Sequence, residues 1–246
     1  EQQTLRIMSY NIHSCLGMDG VVAPERIARV IAQHHPDIVA LQEVDVGKNR
    51  TDGVDQAKVI AECLEMAHHF YPTVRVEDEL YGDAILTHLP MRLVKAGPLP
   101  GLPGRPHLEP RGALWVVITV GNREIQCINT HLGLFPKERQ LQAEALLGSE
   151  WLAHPECRFP ALVCGDFNAT PGSSVCRMMQ ARFADAQLMS LNKRPMNTFC
   201  SRYPAVRIDH VYTSPGIELV DFEVPANELA QVASDHLPLV VTFRME

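Results

Sequence analysis

Short runs of β-branched and aliphatic residues, separated by turn residues, recur along the whole chain. Residues 5–12 alternate apolar and polar side chains, and residues 38–44 form a mostly apolar run, so both patterns predict strands. Further strand patterns lie at residues 84–87, 114–120, 123–130, 160–164, 207–213, 217–224 and 237–243. Gly121 and Asn122 separate two of these runs and predict a two-residue hairpin.

Helical spacing of apolar residues interrupts the strand patterns at four places. Pro24 and Pro136 each suit the first turn of a helix, and a further helix is predicted over residues 55–67. A short helix is predicted to begin near Ser173. Residues 97–112 contain five prolines and four glycines, which exclude a helix or a central strand and predict a long loop.

The order of these elements predicts the fold class. Some strands are joined through helices and others through hairpins, so we expect mixed sheets in an α/β protein. Two mixed sheets packed face to face, with the helices outside, would bury this number of apolar strands. Because strand patterns resume on both sides of the long loop, we predict one domain over residues 1–246.

Composition excludes several classes of protein. With 46% hydrophobic and 21% charged residues, the chain resembles an ordinary globular protein, and no apolar run approaches the ~20 residues of a membrane span. The formal charge of −7 argues against a protein that binds nucleic acid mainly by neutralising phosphates, although a local basic patch remains open.

The seven cysteines and the first residue are informative about the cellular compartment of the protein. The cysteines show no C-x-x-C spacing, which argues against a disulfide framework and a structural zinc site. We expect a cytoplasmic monomer. The first residue is Glu1 rather than Met, so a removed leader stays open.

Several predicted strands end in polar side chains that are suited to chemistry. These side chains belong to Asn11, Glu43, His131, Asp166, Asn168, Asp209, Asp235 and His236. Strand ends that meet at one rim of a sheet commonly form a functional site. Oxygen donors dominate the set and thiolates are absent, so a hard cation such as Mg²⁺ or Mn²⁺ is favoured over zinc. Histidines beside carboxylates can transfer protons near neutral pH.

The short motifs around these residues resemble those of one known family. In chain order they are Ser-Tyr-Asn-Ile at 9–12, Gln-Glu-Val at 42–44, Asn-Thr-His at 129–131, Gly-Asp-Phe-Asn at 165–168, Arg-Ile-Asp-His at 207–210 and Ser-Asp-His at 234–236. Together they resemble the endonuclease/exonuclease/phosphatase superfamily, which includes DNase-I-like nucleases, abasic-site endonucleases, neutral sphingomyelinases and inositol-polyphosphate phosphatases. The resemblance implies a four-layer α/β sandwich and metal-dependent cleavage of a phosphoester by activated water.

The resemblance also implies roles for the polar residues on the metal side. Glu43 matches the principal metal ligand, with Asn11 beside it on the metal or the phosphate. Asp235 resembles a second carboxylate on the metal side. Asp166 resembles the residue that orients or deprotonates the attacking water, and Asn168 would hold the scissile phosphate.

On the other side, the resemblance implies a histidine pair and two substrate contacts. His236 matches a histidine that contacts the phosphate or serves as an acid or base, with Asp209 fixing its tautomer and favouring its charge. His131 matches the second histidine of the nuclease-like and sphingomyelinase-like members. Arg111 lies where many relatives place a phosphate-contacting arginine. Asp83 replaces a usual amide, and it would either pair with His131 or add negative charge against the substrate.

The resulting hypothesis is a Mg²⁺- or Mn²⁺-dependent phosphodiesterase or phosphatase. We expect a small or lipid-borne phosphoester as substrate, because the chain is acidic and only 6% aromatic, which limits stacking platforms for nucleic acid. A DNA or RNA nuclease of the same superfamily is the alternative, and a catalytically silent binding module is a third. The turn after Glu43, which contains Asp45, Lys48 and Arg50, is expected to be solvated, with substrate contact as the alternative because the turn adjoins the predicted metal ligand.

Overall fold

Two six-stranded sheets form the body of the computed structural model, which describes residues 4–245. In spatial order the first sheet contains β11 (Ile217–Glu223), β12 (Leu239–Met245), β1 (Thr4–Asn11), β2 (Ile38–Val46), β4 (Glu79–Thr87) and β3 (Ala67–Val76). The second contains β5 (Met91–Pro98), β6 (Gly112–Val120), β7 (Arg123–His131), β8 (Ala161–Asp166), β10 (Asp209–Thr213) and β9 (Ala184–Asp185). Each sheet contains one parallel pair, β1 with β2 and β7 with β8, so the prediction of mixed sheets is confirmed.

Six α-helices within residues 4–245 connect the strands. They are α1 (Pro24–Ala32), α2 (Gln56–Leu64), α3 (Pro136–Leu146), α4 (Ser174–Gln180), α5 (Ala186–Met189) and α6 (Glu228–Ala233). Proline lies in the first turn of both α1 and α3, as predicted, and Asp55 caps α2 by accepting a hydrogen bond from the Lys58 amide. No helix within residues 4–245 combines the length and the apolar character needed to cross a bilayer.

Alternation along the strands of the second sheet separates two hydrophobic clusters. In β6, Leu114 and Val116 pack into the main core with the first sheet, whereas Trp115 points the other way. Trp115 packs in a second cluster with Leu146 of α3 and Met179 of α4. The sheets therefore face each other with helices outside, which confirms the predicted four-layer sandwich.

The sequence patterns missed three strands, β3, β5 and β9, and all of them lie at sheet edges. β9 has only two residues, and most residues of β3 and β5 are only half-buried, so neither of these longer strands shows a clean apolar alternation. The helix predicted over residues 55–67 ends earlier, at Leu64, because β3 begins at Ala67. The hairpin at Gly121 and Asn122 is confirmed by the pairing of Val120 with Arg123.

A buried polar bridge joins the two sheets directly beneath the strand ends that carry the polar motifs. Gln42 of β2 donates a 2.8 Å hydrogen bond to Asn129 Oδ1 of β7. The Asn129 amide nitrogen donates in turn to the carbonyl oxygens of Leu41 at 2.8 Å and Ala84 at 2.9 Å. This bridge fixes β2 and β7 relative to each other one or two residues from Glu43 and His131.

Candidate active site

Strand register brings the predicted residues of the second sheet together. Asp166 ends β8 and is paired with His131 on one side and with Asp209 on the other. The preceding Gly165 has φ of 144°, and a Cβ atom there would lie 1.8 Å from the Thr130 carbonyl oxygen. Glycine therefore allows β8 to approach β7 closely enough for the three side chains to share one rim.

Asp166 is the centre of the site and is almost fully buried. One carboxylate oxygen accepts a 2.8 Å hydrogen bond from the Asn168 amide, and the other accepts a 3.0 Å bond from Asn11 Nδ2. That second oxygen also lies 3.5 Å from His131 Nε2 and 3.6 Å from His236 Nε2. Burial, reinforced by nearby Asp209, raises the pKa of Asp166 to about 7.

His236 is paired with a second carboxylate. Its Nδ1 lies 2.8 Å from Asp209 Oδ2, which also accepts a hydrogen bond from the Thr198 hydroxyl. The ring of Phe199 packs 4.9 Å from the imidazole. Burial lowers the pKa of His236, but Asp209 and Asp166 outweigh burial and raise it to about 10. His236 is therefore an imidazolium at neutral pH, with Nδ1 donating to Asp209 and Nε2 directed at Asp166.

His131 has the opposite surroundings. Its Nδ1 lies 3.0 Å from Arg111 Nη1, and because a guanidinium always donates, Nδ1 must accept. The ring proton therefore lies on Nε2, which is 3.5 Å from the Asp166 oxygen and 3.1 Å from Asn168 Nδ2. Burial and the Arg111 cation hold the pKa of His131 well below its usual value. This histidine is neutral at neutral pH.

Asn168 completes the end of β8. It has φ of 47°, in the left-handed region that asparagine tolerates. This turn lets its amide nitrogen donate to the Leu132 carbonyl at 2.9 Å and brings it 3.1 Å from His131 Nε2, a contact between two N–H groups that is not a hydrogen bond. Asn168 therefore lies on the same side of Asp166 as His131, facing away from His236.

Glu43 enters the site through a bulge in β2. The register between β2 and β4 shifts between Leu41 and Val44, and Glu43 has φ of 58°. Bulges and left-handed non-glycine residues are costly conformations that are common at functional sites. The result is a half-buried carboxylate whose Oε1 accepts a 2.9 Å hydrogen bond from Asn11 Nδ2.

Asn11 links the predicted metal side to Asp166. Its amide nitrogen donates to both Glu43 and Asp166, whereas its Oδ1 accepts a 3.0 Å hydrogen bond from the His13 amide. Its carbonyl oxygen accepts a 2.8 Å hydrogen bond from the Ser234 hydroxyl, next to Asp235. Direct ligation would require Oδ1, so the assignment of Asn11 as a metal ligand stays a prediction.

The donor set fits a hard divalent cation. Glu43 is half-buried and the Asp235 side chain is 28% exposed, so both carboxylates are accessible from solvent, and carboxylate oxygens are ligands that Mg²⁺ prefers. Ligand atoms of Asp166, Asp209 and His236 also lie within 4.8 Å of one another. His236 Nδ1 is already hydrogen-bonded to Asp209, however, and this group suits proton transfer better than ion binding.

Arg111 and Asp83 are both buried close to His131. Arg111 donates to Glu109 at 2.9 Å and faces His131, so it contacts the histidine instead of projecting freely into the cleft. Asp83 is 2% exposed, and burial raises its pKa to about 8 despite the Arg111 cation. The alternative in which Asp83 pairs with His131 is wrong, because Arg111 occupies that position. Its role as a substrate contact stays a prediction.

Sequence reasoning missed the partners that come from loops. Thr198 and Phe199 contact the Asp209–His236 pair, yet they lie in an irregular segment with no motif to mark them. The turn after Glu43 was expected to be solvated, but Asp45 in it is fully buried and bonded to Arg50. Glu109 could have been predicted as a partner of Arg111, because it lies only two residues before Arg111 in the sequence.

A model of the Endonuclease/Exonuclease/phosphatase family matches residues 8–236. The chain belongs to this family. Among curated proteins, this family member is 28% identical over 133 residues to the uncharacterized protein YbhP of Escherichia coli (strain K12). The match covers 53% of this chain and 51% of YbhP, so the chain spans about half the length of the curated relatives it matches.

Solved structures of the family share the fold. An endonuclease/exonuclease/phosphatase from Beutenbergia cavernae DSM 12333 superposes with a TM-score of 0.82 at 24% identity, covering 99% of this chain and 72% of that one. A mannosyl-6-phosphatase from Bacteroides thetaiotaomicron VPI-5482 superposes with a TM-score of 0.76 at 21% identity, covering 97% and 99%. These likenesses confirm the DNase-I-like sandwich.

Proposed function

We propose that this family member hydrolyses phosphoesters with Mg²⁺ or Mn²⁺ as cofactor. The observation that carries the proposal is the placement of Asp166 between a charged and a neutral imidazole, one asparagine away from Glu43. A buried carboxyl with a raised pKa, a proton donor and a group of hard oxygen ligands are the parts that phosphoester hydrolysis requires.

The metal would be held by Glu43 and Asp235, with Asn11 between Glu43 and Asp166. When bound, a divalent cation polarises the phosphoryl group and offsets the negative charge that develops on it. The Glu43 carboxylate supports this assignment, because its one hydrogen bond to a side chain within residues 4–245 is the bond from Asn11.

Asp166 accepts the proton of the attacking water in this proposal. Its pKa of about 7 lies close to neutral pH, where a general base combines ionisation with proton affinity. Asn11 and the Asn168 amide each bond one of its oxygens and so orient the carboxylate. The water would approach the oxygen that faces the two histidines.

The two histidines then play different parts. His236 is charged, so its Nε2–H can stabilise the phosphate and transfer a proton to the leaving oxygen. His131 is neutral, so its Nε2–H donates a hydrogen bond without giving up its proton. Arg111 supports this part by keeping the acceptor nitrogen of His131 occupied.

A small or lipid-borne phosphoester is the proposed substrate, rather than nucleic acid. The net charge of −7 disfavours a polyanion. The mannosyl-6-phosphatase neighbour acts on a phosphorylated sugar, which is consistent with a compact substrate. A nuclease is the alternative that the substrate test decides.

The test of the reaction is release of nitrophenol from bis(p-nitrophenyl) phosphate. We expect turnover with Mg²⁺ or Mn²⁺, abolition by chelator and strong loss in Glu43→Gln. Glu156→Gln is the matched control, because Glu156 is exposed before β8, at the opposite end of the strand from Asp166. Equal turnover with and without chelator would contradict the metal dependence.

The test of the substrate compares kcat/KM for sugar phosphates, lipid head-group esters and plasmid DNA. Assays at about 50 and 200 mM salt separate the classes, because binders that track nucleic-acid phosphates weaken steeply over this range. We expect the small esters to be preferred at both concentrations. Efficient plasmid nicking that collapses at high salt, with poor turnover of the small esters, would establish the nuclease.

A further inference from the structure

A cavity of about 350 Å³ lies beside Glu43 and plays no part in the steps above. Leu16 and Val22 supply an apolar wall, and Arg50 and Tyr81 also line the cavity. Glu43 itself lines the cavity, so a substrate whose phosphate reaches the metal side extends directly into this space. The residues that line it therefore meet the part of the substrate that does not react.

Arg50 is fixed in place by a buried carboxylate. Its Nε and Nη2 each lie 2.7 Å from an oxygen of Asp45, which is fully buried, and Nη2 also donates to the Ser14 hydroxyl at 3.0 Å. Such a two-pronged pair sets the plane of the guanidinium. The side chain nevertheless remains 56% exposed. A buried anchor below an exposed cationic head is the arrangement of a ligand-binding arginine rather than of a solvated turn.

The donors that remain on Arg50 are available to a ligand. Nη1 makes no hydrogen bond to any residue between 4 and 245, and a guanidinium offers two N–H groups there. Lys48 lies nearby, since its ammonium and the Arg50 guanidinium are each 5.5 Å from the centre of the Tyr81 ring.

The charges around the cavity favour an anion. Arg50 lines the cavity and is paired with Asp45, and the Lys48 ammonium, which does not itself line the cavity, supplies a second cation beside the lining residue Tyr81. Glu109 also lines the cavity, but its carboxylate is bonded to Arg111 at 2.9 Å. Glu43 would be neutralised by the metal. Arginine is suited to phosphate and carboxylate groups because its N–H donors match their oxygens in plane.

We propose that this cavity binds a second, non-reacting anionic group of the substrate, a phosphate or a carboxylate, through Arg50 and Lys48. The inference rests on the proposed phosphoester hydrolase activity and narrows its substrates to esters that contain two anionic groups. The apolar wall of Leu16 and Val22 accommodates the carbon skeleton between them.

The test measures binding rather than turnover. Calorimetry with Mg²⁺ present gives dissociation constants for propylphosphonate, propane-1,3-bisphosphonate and 4-phosphonobutanoate, none of which contains an ester bond. We expect the two ligands with a second anionic group to bind at least about tenfold more tightly than propylphosphonate, as a charge-assisted contact requires. The tighter of the two identifies the second group as phosphate-like or carboxylate.

Two variants test whether the tighter binding of the ligands with a second anionic group depends on the cavity. Arg50→Lys keeps a charge beside buried Asp45 but loses the planar fork, and Lys48→Met removes an ammonium that is not buried. Each variant should reduce the ratio of dissociation constants toward one. Arg92→Gln is the control and should preserve the ratio, because Arg92 is exposed on the edge strand β5 and lines a separate groove.

The outcomes separate this proposal from the proposed function. Equal dissociation constants for all three ligands, or a ratio that survives both variants, would overturn the cavity proposal. A protein that shows the predicted ratio but hydrolyses no phosphoester would support the cavity proposal and overturn the proposed activity. Hydrolysis of simple esters, together with equal dissociation constants for the three ligands, would support the proposed activity and overturn the cavity proposal.

Discussion

His131 and His236 flank the same oxygen of Asp166, yet His236 is charged and His131 is neutral. Their Nε2 atoms lie 3.5 and 3.6 Å from that oxygen, and both rings are buried. The difference comes from the far side of each ring, where His131 meets the Arg111 cation and His236 meets the Asp209 carboxylate. Burial opposes charge on both histidines, so the second partner decides which ring is protonated.

This difference in protonation gives the two sides of the candidate site different chemical roles. A proton can leave the His236 side, whereas the His131 side can only offer a hydrogen bond at neutral pH. Two histidines with similar surroundings would have similar pKa values and would be interchangeable as acids. Variants at the residues that contact the two histidines test this difference in protonation.

The largest loss is expected for Asp166→Asn, which removes the group that both histidines share. A positioned acid or base contributes about 10²–10⁴ in rate, and Asp166 should lie at the upper end because nothing else accepts the proton of the water. The measurement is kcat/KM for bis(p-nitrophenyl) phosphate, with Glu156→Gln as control. A loss of less than about tenfold would remove Asp166 from the role of base.

Asp209→Asn tests whether the Asp209 carboxylate keeps His236 charged. The amide cannot hold the imidazolium, so this variant should lose nearly as much as His236→Asn, about 10³ in kcat. Because the two residues act as a unit, the double variant should be little worse than either single variant. Losses that multiply in the double variant would show that Asp209 and His236 act independently.

Arg111→Gln tests whether the Arg111 cation lowers the pKa of His131. Loss of the cation should raise the pKa of His131 toward its usual value, while burial still opposes the charge. The expected loss in kcat/KM is about 10², smaller than on the other side, because His131 donates a hydrogen bond rather than a proton. Arg92→Gln serves as the control. An unchanged pKa of His131 in the variant would remove Arg111 as the cause.

The smallest effect is on stability. Because the pKa of His236 is raised to about 10 in the folded state, its pairing with Asp209 stabilises the protein fully below the ordinary value of 6.5 and is lost as the pH rises through 10. The difference in Tm between the metal-free wild type and His236→Asn should therefore shrink from pH 6.5 to 10. His35→Asn, at an exposed residue after α1, should show no such trend.

The strand motifs were enough to predict the fold and the composition of the candidate site. Glycine, aspartate and asparagine at 165–168 mark the end of a buried strand, and such ends meet where parallel strands adjoin. The edge strands β3 and β5 were missed because half-buried residues leave no alternation to detect. Tertiary context, not local propensity, makes them strands.

The charges within the site were not predictable from the chain alone. Both histidines follow similar motifs, and only the packed structure shows that Arg111 faces His131 while Asp209 faces His236. Likewise, the burial of Asp45 beneath Arg50 depends on how the turn folds against Ser14. Such partners are far apart in sequence or come from irregular segments, where no periodicity specifies them.

The protonation states of the two histidines are the most direct test of this account. In the metal-free protein, ¹⁵N chemical shifts of the imidazole nitrogens, assigned with His131→Asn and His236→Asn, should show His236 doubly protonated at pH 7.5 and losing its proton near pH 10. His131 should remain a neutral Nε2–H tautomer over the same range, because Arg111 occupies its Nδ1. Two rings that both titrate near 6.5 would contradict the difference in protonation on which the proposed mechanism depends.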